Sequence, residues 1–118
     1  QNRIFVNVVD QTENCSFIAP AIVNRGDLII AVSTSGKSPA LASRIRQDLE
    51  KHFNDEYSVL IDALGEIRPQ VKKVLPDFAD RKRFYTNLVQ HDLMKILNHK
   101  GLTALKAEIQ ERLKGETT

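Results

Sequence analysis

The chain has 118 residues, of which 42% are hydrophobic and 27% charged, and carries a formal net charge of +2. That size fits one ordinary domain, burying roughly two-thirds of its unfolded surface, and the balance excludes disordered and fibrous classes. The small net charge argues against a nucleic-acid surface, no apolar run approaches the roughly 20 residues of a membrane span, and the lone Cys15 excludes an internal disulfide.

The chain opens at Gln1 directly in strand-like sequence, and Met94 is its only methionine. The expectation is a piece of a larger protein with an upstream domain before it. No signal peptide precedes the first strand, and a single cysteine fits a reducing, cytoplasmic compartment.

Residues 4–9 form a short apolar, β-branched run that ends at Asp10, as a buried strand would. Residues 17–23 and 28–32 are two more such runs. Asn24-Arg25-Gly26-Asp27 between them is turn chemistry and predicts a β-hairpin. Pro20 removes one ladder hydrogen bond, which places the first hairpin strand at an edge or kinks it there. An edge is a pairing surface, and strand exchange with a second copy would resolve it.

After residue 38 the period becomes helical. Ser38 as N-cap with Pro39 behind it is a start signal, and Leu41, Ile45, Leu49 and Phe53 fall on one stripe. A second helix carries Tyr57, Leu60, Ile61, Leu64, Ile67, Val71 and Val74, and Pro69 should kink or break it. A third helix is predicted over 78–97. Gly101 ends it, and a short fourth helix carries Leu102, Leu105, Ile109 and Leu113. The fold class is therefore α+β: short strands and a hairpin, then a small all-α domain, with the boundary near Asn54-Asp55.

Two features carry chemistry. Asp10 stands at a strand end, where a partly desolvated carboxylate could act as a general base. A turn-forming aspartate opening the Gln11-Thr12-Glu13-Asn14 loop explains the same residue. The loop Ser33-Thr34-Ser35-Gly36-Lys37-Ser38 places hydroxyls, a glycine and a lysine ahead of a helix N-terminus, where amides and the helix dipole favour an anion. A capped helix start explains it equally. Gly36-Lys37-Ser38 mimics the end of a P-loop, but Ala31 stands where the first glycine belongs, so nucleotide hydrolysis is rejected.

The other candidates are plainer. His52, His91 and His99 lack the partner spacing of a metal cage, and His91-Asp92 reads as a solvated helix face. Cys15 reads as a small, half-buried residue. The basic clusters Lys72-Lys73 and Arg81-Lys82-Arg83 read as solvated helix ends, although a cationic face could also attract a ligand bearing many carboxylates.

Phe5-Val6-Asn7-Val8-Val9-Asp10, then Ser16-Phe17-Ile18 and Pro20-Ala21-Ile22-Val23, closely resemble siroheme synthase. The resemblance continues through Leu28-Ile29-Ile30-Ala31-Val32-Ser33-Thr34-Ser35-Gly36-Lys37-Ser38-Pro39 and Leu41-Ala42. It is dense over residues 3–50, looser through Lys72-Lys73 and Arg81-Lys82-Arg83-Phe84, and is not claimed past about His91. The family module resembled is its precorrin-2 dehydrogenase and sirohydrochlorin ferrochelatase.

That resemblance implies a division into residues 1–10 as the last strand of a truncated Rossmann domain, 11–54 as a dimerisation region, and 55–118 as the helical domain. It implies NAD as cofactor, bound by the missing upstream domain, because no Gly-x-Gly-x-x-Gly occurs in this chain. Ferrous iron would be a substrate. Precorrin-2 and sirohydrochlorin would be the tetrapyrrole ligands, and the partner a second copy, with no nucleic acid or membrane. Asp10 matches the catalytic aspartate, accepting a proton as hydride leaves precorrin-2 and assisting removal of pyrrole protons as iron enters. Asn7 would donate to a substrate carboxylate. Ser33, Thr34, Ser35 and Lys37 would border the tetrapyrrole. Some relatives carry a phosphorylatable serine where this chain has Thr34, and Ser35 replaces a common glycine. A non-catalytic dimerisation and tetrapyrrole-binding module remains the alternative.

Overall fold

A computed structural model describes residues 19–117. Two compact units divide between Asn54 and Asp55. The strand expected over residues 4–9, and the first part of that expected over 17–23, lie outside the described residues.

In the first unit, β1 (Ala21–Arg25) pairs antiparallel with β2 (Leu28–Val32). Pro20 stands immediately before β1, so its missing N–H falls outside the ladder. The register pairs Ala21 with Val32, Val23 with Ile30 and Arg25 with Leu28. Asn24 and Arg25 are therefore strand residues, and the turn contracts from the four residues expected to Gly26 and Asp27. Gly26 takes φ 62° at the first central position, a left-handed conformation that glycine adopts without strain.

Alternation sorts the hairpin's two faces. Val23 is fully buried, while Ile22, Asn24, Ile29 and Ala31 point outward and are exposed. The inner face packs against α1 (Pro39–His52). Ser38 caps α1, its side chain accepting from the Leu41 N–H at 3.1 Å. The expected apolar stripe is displaced by one residue at its start: Leu41 is 51% exposed and Ala42 is buried in its place. A small residue lets the helix lie close to the sheet there. At the other end of α1, Arg25 donates to the Phe53 carbonyl at 2.7 Å and the Glu50 carbonyl at 3.2 Å. This satisfies C-terminal carbonyls and fastens the hairpin tip to the helix.

The second unit is helical: α2 (Glu56–Glu66), α3 (Arg68–Val74), α4 (Phe78–Gln90), α5 (Leu93–Lys100) and α6 (Leu102–Gly115). Pro69 sits in the first turn of α3, and the chain breaks at Ile67 just ahead of it. The helix expected over 78–97 is two helices. The Asp92 side chain accepts from the Lys95 N–H at 3.0 Å and starts α5, while His91 caps the end of α4. His91 and Asp92 are thus cap residues and not a helix face. In the sequence Val89, Leu93 and Leu97 keep a four-residue spacing across the break, so periodicity could not reveal it; in the structure Leu88 is the buried residue and Val89 is 59% exposed.

Val71, Leu88, Leu105 and Ile109 are the largest fully buried side chains of this unit, and Phe84, Leu93, Leu97 and Leu113 complete its core. Burying each such leucine contributes about 1.5–3 kcal/mol. Gln70 and Gln110 exchange amide hydrogen bonds of 3.0 and 2.9 Å, tying α3 to α6.

Candidate functional site

The loop from Ser33 to Ser38 joins β2 to α1, and its form follows from its hydroxyls. The Ser33 Oγ accepts from the Ser35 N–H at 3.1 Å. The Thr34 Oγ1 accepts from the Ser38 N–H at 2.9 Å, and the Thr34 carbonyl accepts from the Lys37 N–H at 3.1 Å. Side chains of this type commonly replace ladder partners at a turn. Ser35 and Gly36 both lie in the left-handed region, at φ 58° and φ 80°. Two successive left-handed residues reverse the chain sharply and aim it into α1.

This pattern alters the anion-site expectation. The amides of Ser35, Lys37, Ser38 and Leu41 are already engaged within the loop and its cap. The loop can also offer a ligand its hydroxyl hydrogens, whose oxygens are held in place as acceptors, and the exposed Lys37 ammonium.

Beside the loop is an open cavity of about 360 Å³. Pro20, Val32, Pro39 and Ala42 give it apolar walls, and Ser33 and Thr34 supply its polar margin. A shallow apolar floor with a hydroxyl edge suits a flat, largely apolar ligand with polar substituents. Ser33, Thr34, Ser35 and Lys37 are thus brought into one six-residue segment, with Ser33 and Thr34 on the cavity itself. Asp10 and Asn7 lie outside the described residues. Pro20, Pro39 and Ala42 were missed as cavity residues; Pro20 read as a strand breaker and Pro39 as a helix start, Ala42 was given no role of its own, and no local signal joins them.

Among the described residues, no group of three or more His, Cys, Asp and Glu is placed to hold a metal ion, and no helix is long and apolar enough to cross a membrane.

Two family models match, in tandem. Residues 25–52 match the sirohaem biosynthesis protein central region, and residues 56–113 match the sirohaem synthase dimerisation region. The chain belongs to the siroheme synthase family. Within that family, the description as a dimerisation region falls on the helical unit, whereas the sequence reading attached it to residues 11–54.

A siroheme synthase of Ruthia magnifica subsp. Calyptogena magnifica is 36% identical over 117 residues, spanning 99% of this chain and 25% of the relative. One of Hydrogenovibrio crunogenus is 48% identical over 84 residues, spanning 71% of this chain and 18% of the relative. The chain therefore spans about a quarter or less of these curated relatives. Among solved structures, SirC, a precorrin-2 dehydrogenase, aligns with a TM-score of 0.62 and 22% identity, covering 92% of this chain and 52% of that one. At that identity the likeness bears on the fold.

Proposed function

We propose that this chain contributes the tetrapyrrole-binding loop and the subunit-pairing region of an enzyme that makes siroheme. The parent oxidises precorrin-2 to sirohydrochlorin with NAD and then inserts ferrous iron. The observation that carries the reading is the Ser33 to Ser38 loop, with hydroxyls fixed at the rim of an apolar cavity in a member of the siroheme synthase family.

In this reading the apolar cavity wall receives part of the macrocycle's face. The Ser33 and Thr34 hydroxyls donate to its carboxylates, Lys37 supplies a positive charge, and Ser35 holds the loop's reversal. Asn7 donates to a further substrate carboxylate. Asp10 accepts one proton during oxidation, releases it to solvent, and then assists removal of the pyrrole protons, one at a time, as iron enters. One carboxylate serves both steps, because each needs a proton acceptor beside the ring. Ferrous iron is a substrate here.

NAD does not fit these residues. The described strands form a two-stranded antiparallel hairpin, with no parallel βαβ crevice, and the chain carries no Gly-x-Gly-x-x-Gly. The cofactor is assigned to other parts of the parent, and no hydride step is derived from this chain. Homodimerisation is part of the proposal and rests on the dimerisation-region match.

The test is Asp10→Asn in a full-length parent enzyme. Turnover of precorrin-2 and of sirohydrochlorin should fall at least a hundredfold, with sedimentation still showing a dimer. Undiminished turnover would remove Asp10 from the mechanism. Retained tetrapyrrole binding with no Asp10 effect on either reaction would favour a module that only positions the ligand.

A further inference from the structure

The segment from Arg68 to Arg83 is electrostatically unlike the rest of the chain. It holds Arg68, Lys72, Lys73, Arg81, Lys82 and Arg83 against Asp77 and Asp80, a local charge of +4 where the whole chain carries +2. The remainder is therefore net negative. Arg83 is paired with Asp80, and Arg81 is turned back onto the Leu75 and Pro76 carbonyls. The ammonium groups of Lys72, Lys73 and Lys82 are exposed and form no ion pair among the described residues. Positive charge left uncompensated in this way calls for an anionic partner.

One face of α4 adds exposed apolar groups to this charge, with Lys82 between them. Phe78, Lys82, Tyr85 and Val89 recur at the spacing of one face of α4. Phe78 is 69% exposed and Val89 59%, the two most exposed large hydrophobic side chains among the described residues. The Arg81 guanidinium lies 5.9 Å from the Phe78 ring centre, and that of Arg68 lies 5.3 Å from the Tyr85 ring centre, so a cation lies against each of the two rings. From Phe78 to Val89 the stripe runs roughly 16 Å along the helix.

We infer that the outer face of α4, with Arg68 and Lys72 of α3 beside it, docks an acidic amphipathic segment of another protein. The charge sets the partner's sign. The stripe sets its kind, because exposed aliphatic and aromatic groups a few turns apart are matched by apolar side chains at helical spacing. A nucleic-acid backbone supplies the charge but nothing to cover Val89. This surface belongs to the helical unit and stands independently of the hairpin loop.

The experiment uses the full 118-residue chain and a fluorescein-labelled helical peptide with leucines at i, i+4, i+7 and i+11 flanked by glutamates, followed by anisotropy. Saturable binding is expected, weakened at least tenfold by Lys72→Glu with Lys82→Glu, and about tenfold by Phe78→Ala, with helical circular dichroism unchanged. Binding should also weaken several-fold between roughly 50 and 300 mM salt. Thr34→Val, which disturbs only the hairpin loop, should leave it unchanged. Equal binding of a lysine-flanked peptide, or indifference to these α3 and α4 variants, would overturn the inference. Tighter binding of a single-stranded oligonucleotide of matched charge would overturn it in favour of a nucleic-acid surface.

Discussion

Single atoms decide the loop. Thr34 Oγ1 is the acceptor that fixes Ser38, and Ser38 Oγ is the acceptor that starts α1. Thr34→Val keeps the shape but removes the acceptor, and should lower stability by about 1 kcal/mol in denaturant unfolding, with Thr34→Ser restoring it. Ser38→Ala removes the cap and should cost about 1 kcal/mol. Ser35 is the contrary case. It is held at φ 58° without glycine's freedom, so Ser35→Gly should raise stability by up to about 1 kcal/mol, while Ser35→Val should lower it. The residue types of this loop were legible in the sequence, and so was the departure from glycine at Ser35. The consumption of its amides was not, because that depends on which hydroxyl meets which N–H.

At the scale of elements, most boundaries follow from one residue each. Pro20 precedes β1, Ser38 and Pro39 open α1, and Pro69 divides α2 from α3. Proline and capping side chains act locally, and for that reason they can be read without the fold. The break between α4 and α5 escaped because His91-Asp92 was read as a solvated helix face, while Val89, Leu93 and Leu97 kept helical spacing across it. Gly101 joins α5 to α6 at φ 90° and ψ 176°, a conformation almost confined to glycine, yet a methyl group there would meet nothing within 4 Å. Gly101→Ala should therefore destabilise by about 1–3 kcal/mol through the backbone alone, measurable as a lowered unfolding midpoint. Leu105→Ala acts by the opposite route. Leu105 is completely buried in α6, and its truncation should cost about 2–5 kcal/mol through lost burial and a cavity.

The chain divides into two compact units, each with its own packing. The hairpin unit is half covered: α1 lies on one face, and Ile22, Ile29 and Ala31 occupy the other. The helical unit has its own core around Leu88, Leu105 and Ile109. If pairing of subunits involves the open hairpin face, Ile29→Glu should leave helical circular dichroism intact, since Ile29 is 49% exposed, and shift sedimentation of the parent toward monomer. An unshifted dimer would confine pairing to the helical unit, where the dimerisation-region match falls. Pairing of this kind is legible only as an edge and an exposed apolar face, because its energy lies in a partner that periodicity does not see.

The central claim is that the chain itself carries a tetrapyrrole site. The direct measurement is an absorbance titration of the 118-residue chain with sirohydrochlorin, followed by ferrous or cobaltous ion, a step that requires no NAD. A saturable spectral shift is expected, with metal insertion faster than in buffer, binding weakened in Thr34→Val and Lys37→Ala, and the acceleration lost in Asp10→Ala. Failure of sirohydrochlorin to give any saturable shift would contradict the claim.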